Sequence, residues 1–60
     1  MSPISFRVRY KGKLKFCQVV PTGRGDEVAL YVGNSVLCCS VNFSRLVVDA
    51  RNELGINVLK

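Results

Sequence analysis

Apolar and basic side chains alternate from Phe6 to Phe16 with a break at Lys11-Gly12-Lys13, and two apolar runs, residues 28–32 and 36–39, lie beyond a second break at residues 21–26 and on either side of a third at Gly33-Asn34. A period of two is the strand period, so the pattern predicts antiparallel strands folding back on one another at those breaks. The clearest pairing joins residues 28–32 to residues 35–41. Val32-Gly33-Asn34-Ser35 fits a type II′ turn with glycine at the first central position, and the register that follows faces Leu30 with Leu37 and Val28 with Cys39. Val28, Leu30, Val32, Leu37, Cys39 and Val41 then share one face; Ala29, Tyr31, Val36, Cys38 and Ser40 share the other. The second face is semi-apolar rather than charged, so these strands are expected to be central or covered on both sides.

An earlier hairpin is expected from residues 4–10 and 14–20, with Pro3 delaying the first strand and Pro21 ending the second. A three-residue loop at Lys11-Gly12-Lys13 pairs Tyr10 with Leu14, Arg9 with Lys15 and Val8 with Phe16, keeping apolar with apolar and basic with basic. A two-residue loop would set Tyr10 opposite Lys13 and mix the faces, so the longer loop is expected. Residues 21–26, with one proline and two glycines, read as the connection between hairpins.

From Asn42 or Ser44 the period changes. Phe43, Leu46, Val47, Ala50 and Leu54 fall at helical spacing, with Ser44 as N-cap and Gly55 just past the C-terminus, which gives a helix of about ten residues. Residues 56–60 read either as a short edge strand or as a frayed end. The expected fold is therefore α+β, a single domain over residues 1–60, in which two antiparallel hairpins form a curved four-stranded sheet with one C-terminal helix across it. Leu30, Leu37, Phe43, Leu46, Val47 and Leu54 are the expected core between sheet and helix.

Charge is distributed unevenly over this framework. Arg7, Arg9, Lys11, Lys13 and Lys15 fall within nine residues, and no acidic side chain precedes Asp26. The net charge of +5 divides into six cations and no anion over residues 1–25, against three cations and four anions over residues 26–60. A polyphosphate backbone suits such a segment, because neutralising it releases counterions and gives affinity without base contacts. With Arg7, Arg9 and Lys15 expected on one sheet face, Lys11 and Lys13 at the tip and Arg24 nearby, these six would contact phosphates, and Tyr31 would offer a stacking surface for an unpaired base. DNA and RNA are equally open. The same cations also suit a solvated face that guards an edge strand, or an acidic protein partner, as in a phage- or virus-type inhibitor of a host factor.

Other chemistries find little support. The only carboxylates are Asp26, Glu27, Asp49 and Glu53; the first pair lies in a loop and the second, four apart on the helix beside Arg45 and Arg51, reads as a solvent face. Neither pair points to acid–base catalysis, and no enzyme or cofactor is expected. Cys17, Cys38 and Cys39 have no histidine to complete a zinc set or activate a thiol, and because they are odd in number, with two of them adjacent, all three are expected reduced and packed as small hydrophobes, with no metal. Arg24-Gly25-Asp26 spells an integrin-recognition tripeptide, but its glycines read more simply as positive-φ loop residues. No run approaches the roughly 20 apolar residues of a membrane span, and the first residues lack the order of a signal peptide, so no membrane association and a cytoplasmic, intracellular location are expected. The apolar content of 48% is high for 60 residues and suggests a homodimer.

Phe6-Arg-Val-Arg-Tyr10-Lys-Gly-Lys resembles the opening hairpin of the small basic archaeal chromatin proteins, and Val32-Gly33 with Val36-Leu37 loosely resembles their central hairpin. A C-terminal helix follows in both. The resemblance covers about 40 residues and implies an SH3-like open barrel that binds duplex DNA through the second hairpin. This chain departs from that pattern in having no Trp, in carrying cysteines and in its modest lysine content.

Overall fold

A computed structural model describes residues 2–58 of the chain. Four strands, β1 (Ile4–Tyr10), β2 (Lys13–Pro21), β3 (Val28–Val32) and β4 (Ser35–Ser40), form one antiparallel sheet in the order β1-β2-β3-β4. The sheet does not close on itself, so β1 and β4 are its edges. The helix α1 (Phe43–Asp49) continues directly into a π-helical segment, α2 (Ala50–Leu54), and α1 packs across β3 and β4. The α+β architecture thus follows the sequence pattern, with strand limits within a residue of those expected.

The first turn differs. Tyr10 pairs with Lys13, Arg9 with Leu14, Val8 with Lys15, Arg7 with Phe16 and Phe6 with Cys17, which leaves a two-residue turn at Lys11-Gly12 rather than a three-residue loop. Both turn residues have positive φ, Lys11 at 54° and Gly12 at 78°, as a type I′ turn requires. The cause lies one strand further on. Cys17 pairs with Val32 and Val19 with Leu30, so β2 has already committed these two side chains to the helix side. Only the shorter turn sets Phe6 opposite Cys17 and Ile4 opposite Val19 on that side. Burying a phenylalanine contributes about 1.5–3 kcal/mol, more than the few tenths that segregating exposed charges offers.

The second turn has the positive φ at Gly33 alone, 60°, in keeping with type II′. Its first two pairs, Val32 with Ser35 and Tyr31 with Val36, are those expected. A bulge then displaces the register, so Leu30 faces Cys38 and Val28 faces Ser40 in place of Leu37 and Cys39. Cys38 and Ser40 consequently lie on the helix side and Cys39 on the outer side, the reverse of the simple alternation. Nor is this hairpin covered on both sides: β4 is an edge strand, and the outer face carries Val36 at 49% exposure.

The core comprises Phe6, Cys17, Val19, Val28, Leu30, Leu46, Ala50, Ile56 and Val58. Leu30 and Leu46 are buried as expected, whereas Leu37, Phe43, Val47 and Leu54 only border this cluster. Ser40, buried at the end of β4, donates its hydroxyl to Asp49 Oδ2 at 2.8 Å, and Arg45 Nε meets Asp49 Oδ1 at 3.2 Å. Asn42 rather than Ser44 caps α1, its side-chain oxygen accepting from the Arg45 amide at 2.8 Å. Gly55 ends the helix in the left-handed region at φ 68°, and the Ile56 amide turns back to the Ala50 carbonyl at 3.1 Å. That reversal buries Ile56 and Val58 without forming an edge strand; Leu59 and Lys60 lie outside the described residues.

Candidate functional site

Pairing between β2 and β3 begins at Cys17, and one further bond, from the Gly33 amide to the Phe16 carbonyl at 2.9 Å, marks its limit. Beyond it, Val8, Arg9 and Tyr10 pair only with Lys15, Leu14 and Lys13, closed by the Lys11-Gly12 turn. This end of the first hairpin is therefore a two-stranded arm extending past the rest of the sheet. Three residue pairs at about 3.4 Å per residue give it a reach of roughly 10 Å before the turn. The molecule measures 34 Å along its longest axis against 20 and 19 Å along the others.

All five clustered cations belong to this arm or its root. The shorter turn does not place Arg7, Arg9 and Lys15 on one face. Arg7 and Arg9, with their cross-strand partners Phe16 and Leu14, point outward, whereas Lys13 and Lys15, opposite Tyr10 and Val8, point to the helix side. Lys11 occupies the tip, with its Nζ 5.4 Å from the centroid of the Tyr10 ring. All five are exposed, and among the described residues none forms an ion pair. Leu14 and Phe16 are exposed beside them, at 63% and 49%.

On the helix side the arm overhangs a cleft of about 360 Å³, lined by Tyr10, Lys11, Lys13, Lys15, Val32, Ser35 and Leu37. The helix packs lower on the sheet and leaves this end open. Three ammonium groups, the hydroxyls of Tyr10 and Ser35 and an apolar floor, without a carboxylate, suit an anion attached to an apolar body. A second hollow, of about 340 Å³, lies at the other end of the molecule beside Pro21, Asp26, Asn42 and Phe43, where the Asp26 carboxylate makes it a poor anion site.

Arg24 does not join the cluster. It sits in the loop after Pro21, at the far end of β2, roughly 25 Å from Lys13 at strand rise. Glu27 organises that loop: its carboxylate accepts from the Thr22 hydroxyl at 2.6 Å, and its amide donates to the Arg24 carbonyl at 3.0 Å. Tyr31 lies on the outer face, half-buried between Gln18 and Val36, diagonal to Phe16 and on the opposite side of the sheet from the cleft. Sequence periodicity missed Ser35 and Leu37 as cleft residues, because the arm and the bulge that bring them together are products of register.

The thiols divide by position. Cys17 is buried, Cys38 half-buried and Cys39 exposed, so Cys39 is not packed as a small hydrophobe. Burial pushes the Cys17 thiol above its ordinary value; burial, then the Asp49 carboxylate, Cys39 and Glu53, does the same for Cys38. Among the described residues no three of Cys, Asp and Glu gather into a set that could hold a metal ion, and no helix is long and apolar enough to cross a membrane. The chain matches no protein-family model, no curated protein and no solved structure.

Proposed function

We propose that this chain is a nucleic-acid-binding module, not an enzyme, and that the projecting β1–β2 arm makes its phosphate contacts. One observation carries the reading: Arg7, Arg9, Lys11, Lys13 and Lys15 are all exposed on one arm with no carboxylate partner among the described residues. An unpaired cluster of this kind attracts polyphosphate by counterion release. The resemblance of the opening hairpin to the archaeal chromatin proteins implies the same class of ligand but puts the contact on the second hairpin, whereas the exposed cations of this chain lie on the first. A regulatory or architectural role inside the cell fits a module this small, and the outer surface of the second hairpin, which carries Tyr31 and Val36 and no charge, favours a homodimer, which sedimentation showing only monomer at high micromolar concentration would exclude.

The test is salt-dependent binding to mixed DNA and RNA probes. Parent protein should bind with log K falling linearly against log salt, whereas Arg9→Glu combined with Lys15→Glu, one reversal on each face of the arm, should nearly abolish binding. Both side chains are exposed, so the thermal midpoint should stay close to that of the parent, within about 0.5 kcal/mol of stability. A parent that binds no nucleic acid at any salt, but binds one acidic protein tightly, would replace this reading with the acidic-partner one.

A further inference from the structure

The two faces of the arm narrow the ligand further. We infer that the β1–β2 arm inserts into the major groove of B-form duplex DNA, with Arg7 and Arg9 meeting the phosphates of one strand and Lys13 and Lys15 those of the other. This rests on the nucleic-acid reading and specifies its substrate class. The major groove is about 12 Å wide and 8.5 Å deep and admits a two-stranded β-ribbon. The arm is such a ribbon, free of further pairing over three residue pairs, and its reach of roughly 10 Å matches that depth.

Charge placement selects the groove over a flat surface. A ligand lying on one face of the arm would use either the two arginines or the two lysines and leave the other pair unsatisfied. Groove walls present phosphates on both sides of an inserted ribbon, and the arm carries cations on both sides. The cleft beneath Lys13 and Lys15 gives one backbone a place to run, with Ser35 able to donate to a phosphate oxygen. Duplex RNA is disfavoured, because its major groove is too deep and narrow for side chains to read. A single strand has no second wall and would engage one face, the outer one that bears Phe16 and Tyr31.

The experiment compares a 20-base-pair DNA duplex, the same sequence as duplex RNA, and each single strand, against the parent, Arg7→Glu/Arg9→Glu and Lys13→Glu/Lys15→Glu. Duplex DNA should bind at least about tenfold tighter than the other probes, and each double reversal should weaken it by about tenfold or more. Bound protein should protect guanine N7, a major-groove atom, from methylation, and leave adenine N3 in the minor groove reactive. Circular dichroism of each variant establishes that it is folded; a variant that is not is replaced by its Gln counterpart, which should lose affinity in the same direction. Loss confined to one face, tighter binding of single strands, or protection of adenine N3 each overturns groove insertion while leaving nucleic-acid binding in place. Absence of binding to every probe overturns both.

Discussion

Among the individual side chains, the thiols report the fold through their protons. Cys17 and Cys38 both hold their protons more tightly in the folded chain than at the ordinary thiol value of 9.0. A group with a raised folded pKa gives its full stability below the unfolded value and loses it as pH rises from there through the folded value. The thermal midpoint should therefore begin to fall between about pH 8 and pH 10, and the fall should be smaller in Cys17→Ala/Cys38→Ala, whatever the baseline cost of the cavity. An equal fall in both proteins would mean that other groups carry the alkaline loss. Alkylation of the native parent should reach Cys39 first, since it is the exposed thiol.

Where strands and turns are concerned, the first turn is the point at which local and non-local preferences disagree. Gly12 adopts φ 78° with open space where a β-carbon would stand, so Gly12→Ala carries only the conformational cost of the left-handed region, about 1–2 kcal/mol. Gly12→Asn should cost less, because asparagine tolerates that region. Chemical denaturation that places Gly12→Ala level with the parent would rule out the two-residue turn. The strands, the second turn and the glycine that ends the helix are legible because each is written in a local pattern, such as Gly33-Asn34 between two short apolar runs. The register of the first hairpin is not, since nothing between Phe6 and Cys17 states that Cys17 and Val19 are already bound to Val32 and Leu30. The same blindness hides the bulge at Leu37, and with it the inward turn of Cys38 and Ser40. The six cations are legible as a charge segment; their division between two faces, and the remoteness of Arg24, follow from register and strand length.

In the molecule taken whole, core and arm are separate in space, so stability and binding should separate in experiment. Phe6, Leu30, Leu46 and Ile56 belong to the interior on the helix side of the sheet, whereas the apolar side chains of residues 8–15 that pack against it are Val8 and Tyr10. A chain of this length buries only about 60% of its unfolded surface and has little stability to spare. Leu46→Ala, at a fully buried site under the sheet, should cost about 2–5 kcal/mol, and Leu37→Ala, half-buried at the bulge, distinctly less. The folded fraction of Leu46→Ala should retain the parent's salt slope, near −4 to −5 on duplex DNA if about five cations contact phosphates at roughly −0.9 each. Reversing one face of the arm should do the opposite, lowering the slope by about 2 with an unchanged denaturation midpoint. If Leu46→Ala flattened the slope of its folded fraction, or if arm reversals shifted the denaturation midpoint as far as core truncations do, the arm would be part of the folding core and could not act as an independent reader of phosphate.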